Sequence, residues 1–138
     1  VDEAEAALAK PEEAIRFYEE TGVDCLAIAV GTAHGMYKGE VKIRYDIIEE
    51  VASKIPVPIV LHGGSGVPDD AIRRAIECGV GKINVNTENQ VACTDAIREI
   101  LAKDAKVYDP RKYLGPARNA MVEVVKSKMQ LFGSVNQA

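Results

Sequence analysis

Apolar residues along this chain come in two kinds of run. Short uninterrupted runs of strand length are Cys25-Leu26-Ala27-Ile28-Ala29-Val30 and the segment after Pro58, Ile59-Val60-Leu61, which stops at His62. A third, less apolar one is Lys82-Ile83-Asn84-Val85-Asn86-Thr87. Longer stretches carry apolar residues at three- and four-residue intervals and predict helices. The first begins at Pro11, has acids in its first turn and Ala14, Phe17 and Tyr18 on one face, and ends at Thr21-Gly22. The second, Tyr45 to Lys54, carries Ile47, Ile48 and Val51 and is closed by Pro56. Asp69 and Asp70 open the third, Ala71 to Cys78, with Ile72, Ala75 and Ile76 on one face and Gly79 as its stop. Glu88 to Lys103 is the fourth. After an aromatic and basic turn, Tyr108 to Tyr113, Pro116 opens a last helix with Ala120, Met121, Val124, Val125, Met129 and Phe132 on its apolar face, ending at Gly133.

Strand, loop and helix thus alternate three times. Parallel neighbours need a long return connection and helices must cover the sheet, so the pattern predicts an α/β fold with a parallel sheet. A doubly wound sheet and a closed (β/α)8 barrel both satisfy it. Polar groups gather at the C-terminal ends of the strands, and no Gly-x-Gly-x-x-Gly turn follows a strand, which favours the barrel. Three strands cannot close one, and such a barrel takes about 250 residues. Residues 1–138 therefore read as the C-terminal half of one TIM (β/α)8 barrel domain with an extra C-terminal helix, a fragment or a nicked chain.

Composition narrows the classes. With 138 residues, 47% of them hydrophobic, and a formal charge of only −4 with basic and acidic residues interspersed, the chain has no basic stripe for nucleic acid. No apolar run approaches the roughly 20 residues of a membrane span, and the acidic start, Val1-Asp2-Glu3-Ala4, lacks a signal-peptide pattern. A cytoplasmic location without nucleic-acid or membrane partners is expected. Cys25, Cys78 and Cys93 are odd in number and have no Cys-x-x-Cys spacing, so they are expected to be reduced and buried.

The only two histidines, His34 and His62, each end a strand and precede a glycine. Neighbouring parallel strands lie about 4.8 Å apart, so imidazoles at equivalent strand ends can reach one metal ion. Catalytic zinc normally takes three protein ligands, so a third must come from elsewhere. After His62, Gly63-Gly64-Ser65-Gly66 allows positive backbone angles and brings N–H groups close to an anion, facing the N-terminus of the helix opened by Asp69. The same residues would also serve a strand-capping histidine and a tight turn.

Taken together, Gly31-Thr32-Ala33-His34-Gly35, Tyr37-Lys38-Gly39-Glu40, Leu61-His62-Gly63-Gly64-Ser65-Gly66, Lys82-Ile83-Asn84-Val85-Asn86-Thr87-Glu88 and Tyr108-Asp109-Pro110-Arg111-Lys112 resemble the class II, zinc-dependent fructose-bisphosphate aldolases. The likeness covers nearly the whole chain, and tagatose-bisphosphate aldolases share most of these motifs. It implies that His34 and His62 ligate Zn2+, with the third histidine in an N-terminal half. The aspartate and glutamate that move protons in the family would lie there too, so this half alone would be inactive. It further implies that Gly35, Lys38, Gly63, Gly64 and Ser65 hold the phosphate of dihydroxyacetone phosphate, beside a possible monovalent cation, Na+ or K+. Asn84 would bond the enediolate region and Thr87 the phosphate, and Asn86 stands where some relatives carry aspartate. Arg111 matches a residue that reaches into a neighbouring subunit to hold the far phosphate, which implies a homodimer or homotetramer.

The implied reaction is reversible cleavage of fructose 1,6-bisphosphate to dihydroxyacetone phosphate and glyceraldehyde 3-phosphate, a step of glycolysis and gluconeogenesis. Lys82, at the start of its strand, should lie on the barrel face away from the site, which argues against a lysine Schiff base. Two alternatives remain: a metal-free phosphate-binding barrel enzyme, and an inactive piece that acts only through assembly contacts. Metal content and full-length mass discriminate among the three.

Overall fold

In the computed structural model residues 8–33, 35 and 41–137 are described. They form two compact units, one running to Val85 and one from Asn86.

The first unit holds α1 (Pro11–Thr21), β1 (Leu26–Ala27), α2 (Tyr45–Ala52), β2 (Ile59–Leu61), α3 (Asp69–Glu77) and β3 (Val80–Ile83). The strands pair in parallel in the order β1-β2-β3, as consecutive strand–helix–strand units require. β2 is central and buried along its whole length, which is why it reads as a continuous apolar run. Ile47, Ile48 and Val51 of α2 and Ile72 and Ala75 of α3 are buried, so both helices turn their apolar stripes inward. At the end of α1, Gly22 is left-handed, with φ 63°, and its N–H closes on the Tyr18 carbonyl at 2.8 Å.

Two strands differ from the sequence expectation. β1 is confined to Leu26–Ala27 rather than Cys25–Val30. Beyond it the backbone bonds to connecting segments, Ala9 N–H to the Ala29 carbonyl at 2.8 Å and Arg44 N–H to the Val30 carbonyl at 2.9 Å. The apolar character of this run reflects burial of Val30, at 1% exposure, and not a long ladder. β3 begins at Val80, before the expected Lys82, and ends at Ile83. Gly79 and Gly81 disguise it as a turn. Gly81 is passed over in the pairing, with Val60 opposite Lys82 but Ile59 opposite Val80, so β3 carries a bulge. A Cβ on Gly81 would stand 2.8 Å from the Pro58 side chain, so glycine lets β3 lie against the start of β2.

The second unit is a helical hairpin of α4 (Thr87–Lys103) and α5 (Pro110–Leu131), with the last turn of α5 beside the first turn of α4. α5 starts at Pro110, not Pro116, so much of the expected Tyr108–Tyr113 turn is helix. Asp109 is its N-cap and accepts from the Arg111 N–H at 3.0 Å, while Pro110 takes a first-turn place where its missing N–H costs nothing. Pro116 lies inside the helix. Ala117 is buried and Met121, Val124 and Phe132 are half-buried, whereas Val125 and Met129 are exposed and fall off the expected apolar face. All three thiols are free, as expected, but none is buried: Cys25 is exposed and Cys78 and Cys93 are intermediate.

Candidate functional site

The loops that follow β1 and β2 are held side by side. Thr32 donates from Oγ1 to the His62 carbonyl at 2.7 Å. Gly63 is left-handed, with φ 66°, and a Cβ there would overlap the Ala33 carbonyl, so the residue after His62 lies directly on the residue before position 34. His34 itself, and Lys38, lie outside the described residues. His62 is exposed at the C-terminal end of β2. Gly35 is left-handed, with φ 103°, and has open space where a side chain would be.

β3 extends this arrangement by one residue. Asn84 N–H donates to the Leu61 carbonyl at 2.9 Å, and the Asn84 carbonyl accepts from Gly64 N–H at 3.0 Å. The expected anion cradle therefore changes in one respect: the Gly64 N–H is already engaged with Asn84. Gly64 is packed so tightly that a Cβ would come 2.9 Å from the Asn84 carbonyl. Ser65 is buried at 3% exposure, unlike every other polar residue described. The Asn84 side-chain amide lies 3.3 Å from His62 Nδ1 and 3.4 Å from Nε2. The two ring nitrogens, one an N–H donor and one an acceptor in neutral imidazole, point in different directions, so the near-equal distances describe an amide lying along the ring, not one aligned hydrogen bond.

Lys82 departs from expectation. Its ammonium donates to Asn84 Oδ1, which places it beside the site residues at the C-terminal end of β3. Positions 82 and 84 are two apart on extended backbone and share a face, a signal the sequence carried.

In the second unit, Asn86 is the N-cap of α4 and its carbonyl accepts from Gln90 N–H at 3.0 Å. Thr87 is the first residue of that helix, where backbone N–H groups and the helix dipole favour an anion. Arg111 is in the first turn of α5 and 90% exposed on its side chain. Its guanidinium holds Asp109 at 2.6 Å, which keeps the Asp109 carboxyl below its usual range and raises Arg111. In the antiparallel hairpin the starts of α4 and α5 lie at opposite ends. Seventeen helical residues span about 25 Å, so Arg111 and Thr87 are not brought together within this unit.

Thus His62, Gly63, Gly64, Ser65 and Asn84 meet in the first unit, and Asn86 and Thr87 in the second. Sequence reasoning missed Thr32 and Lys82, which steady His62 and Asn84. No group of three His, Cys, Asp or Glu residues able to hold a metal occurs among the described residues.

Comparison with known proteins gives a consistent picture. The family described as "Fructose-bisphosphate aldolase class-II" matches residues 1–137. The fructose-bisphosphate aldolases of Staphylococcus epidermidis and Geobacillus stearothermophilus are each 52% identical over 130 residues, which is 94% of this chain but 46% and 45% of theirs. The chain thus spans about half the length of the curated relatives it matches. Among solved structures, the YdjI aldolase of Escherichia coli K12 superposes with a TM-score of 0.83 at 36% identity over 95% of this chain and 48% of its own. A fructose-bisphosphate aldolase of Campylobacter jejuni gives 0.80 at 26% identity, over 95% and 47%.

Proposed function

Because this chain belongs to the class II fructose-bisphosphate aldolase family, we propose that it is the C-terminal half of a zinc-dependent aldolase that reversibly cleaves fructose 1,6-bisphosphate to dihydroxyacetone phosphate and glyceraldehyde 3-phosphate. The observation that carries the reading is the juxtaposition of the loops after β1 and β2, in which Thr32 holds the His62 backbone and Gly63 rests on Ala33. It supports two imidazoles converging at the C-terminal end of a parallel sheet.

His34 and His62 would hold the zinc, since an imidazole is one of its ordinary donors and His62 stands exposed at a strand end. A zinc ion there would polarise a carbonyl oxygen and stabilise the negative charge that develops on loss of a neighbouring proton. Asn84, aligned along the His62 ring and steadied by Lys82, would orient the oxygens of the reacting carbons. Gly35, Lys38, Gly63, Gly64, Ser65 and Thr87 would bind the near phosphate, with Gly64 acting through the close approach it permits, since its N–H is taken, and Asn86 would be a further substrate-binding position. Arg111, remote from Thr87 in its own unit, would hold the far phosphate in a neighbouring subunit of a homodimer or homotetramer. The proton-transfer residues, the third zinc ligand and any Na+ or K+ would belong to the assembled barrel, working in the cytoplasm in glycolysis and gluconeogenesis.

The test uses the full-length enzyme. Chelation should abolish cleavage, zinc should restore it in the parent protein, and His62→Ala should leave nothing to restore. Cleavage that survives metal removal would overturn the zinc assignment. Equal turnover of tagatose 1,6-bisphosphate would overturn the sugar assignment.

A further inference from the structure

Lys82 and Asn84 stand two residues apart, at and just beyond the C-terminal end of β3, on one face of extended backbone. The Lys82 ammonium donates to Asn84 Oδ1, and Nδ2, at the other end of the same amide, faces the His62 ring. The two ends of an asparagine amide are nearly equal in size and opposite in character, an acceptor oxygen and a donor NH2, and a half-turn about the last torsion exchanges them. An ammonium carries donors only. The end beside Lys82 must therefore be the oxygen, and the end directed at His62 must be the NH2. The bond is also charge-assisted, which makes it stronger than a neutral one and polarises the N–H groups at the far end of the amide.

We propose that Lys82 is a positioning residue for the proton-removal step: by engaging Asn84 Oδ1 it holds the amide with its NH2 toward the reacting oxygens. This rests on the reading of Asn84 as their contact. When a base of the assembled barrel takes a proton from the carbon beside the carbonyl of dihydroxyacetone phosphate, the C–H electron pair moves onto the carbonyl oxygen, and an N–H donor already in place stabilises it. A reversed amide would set its own oxygen against that charge. The lysine need not touch substrate. Because the charge grows between the bound substrate and the transition state, the effect belongs in turnover more than in KM.

The experiment measures hydrogen exchange between dihydroxyacetone phosphate and deuterated water at saturating substrate in the full-length enzyme, together with KM, metal content and thermal midpoint. Lys82→Met should slow exchange about ten- to a hundredfold, short of the roughly hundred- to thousandfold loss that follows outright removal of an oxyanion donor. KM should stay within about threefold and metal content should not change. Lys82→Arg, which still offers only donors, should keep most of the rate. Lys82→Gln, whose own amide can turn either end to Asn84, should lose it as Lys82→Met does, and decides the matter if the methionine variant does not fold. In an Asn84→Ala background Lys82→Met should slow exchange no further, since the lysine acts through that amide. Unchanged exchange in Lys82→Met, an equal further loss in the Asn84→Ala background, or a fall in metal content that accounts for the loss would overturn the proposal. Asn84→Ala separates the two readings: should it leave exchange intact, the Asn84 assignment fails, whereas slowing by Asn84→Ala without slowing by Lys82→Met fails the lysine alone.

Discussion

Asp109 performs two tasks with one carboxylate. It caps α5 by accepting from the Arg111 N–H and it holds the guanidinium of the same residue. That pairing lowers its pKa from the ordinary 3.8. For a depressed carboxyl the stabilisation is present above the unfolded value and is lost as pH falls through the lower folded one. Asp109→Asn keeps an acceptor at the cap but removes the charge. The parent should thus exceed the variant in thermal stability by a constant margin above about pH 5, and the margin should close only in acid below the ordinary carboxylate value. Melting both proteins across this range checks it, and a margin independent of pH would show that the charge is idle. At this scale the sequence was most legible where residue types have few uses: an imidazole ending an apolar run, then glycines. Thr32 and Lys82 were not legible because their partners, His62 and Asn84, become neighbours only through the lateral order of strands or the pleat.

Elements with a strong period were read correctly and those with permissive residues were not. α2 and α3 show their buried faces as apolar residues at helical spacing, because nothing else in those stretches can shield the sheet. The start of β3 is hidden in the sequence because Gly79 and Gly81 resemble punctuation, although Gly81 serves close approach to Pro58. The start of α5 is ambiguous in the sequence because two prolines compete for its first turn, and only the Asp109 cap decides for Pro110. The burial of α3 makes a sharp prediction. Ile72 is 0% exposed, so Ile72→Ala should cost roughly 2–5 kcal/mol by lost transfer energy and a residual cavity. Phe17→Ala on α1, where the ring is 50% exposed, removes a larger side chain and should cost much less. Denaturant titration of the two variants ranks them, and a reversed order would mean that the α3 interface relaxes around the vacancy.

At the scale of the whole molecule, strand topology and ligand number point the same way. β1 and β3 each pair with one neighbour among the described residues, and the parallel units are those of a TIM barrel shared with the solved aldolases. The order of units was legible in the sequence, since a parallel sheet admits only long right-handed returns. What faces its two outer strands was not, because edge pairing joins residues that no local pattern of the sequence relates. The proposed zinc dependence supplies a quantitative test. The sequence has only two histidines, whereas a catalytic zinc site normally takes three protein ligands. Disturbing a residue that merely orients a ligand costs about ten- to a hundredfold in affinity, so absence of a direct ligand should cost more. This chain alone should therefore bind zinc at least about a hundredfold more weakly than the full-length enzyme, measured by competition with a chromophoric chelator. It should cleave no fructose bisphosphate by itself. Adding a separately produced N-terminal half should raise both zinc affinity and cleavage, and raise them together, because on the proposed reading the third ligand and the barrel closure arrive on the same polypeptide. Enzyme-like cleavage by the isolated 138 residues would mean that the chemistry is carried by groups within this half, and the two-histidine assignment would fall with it.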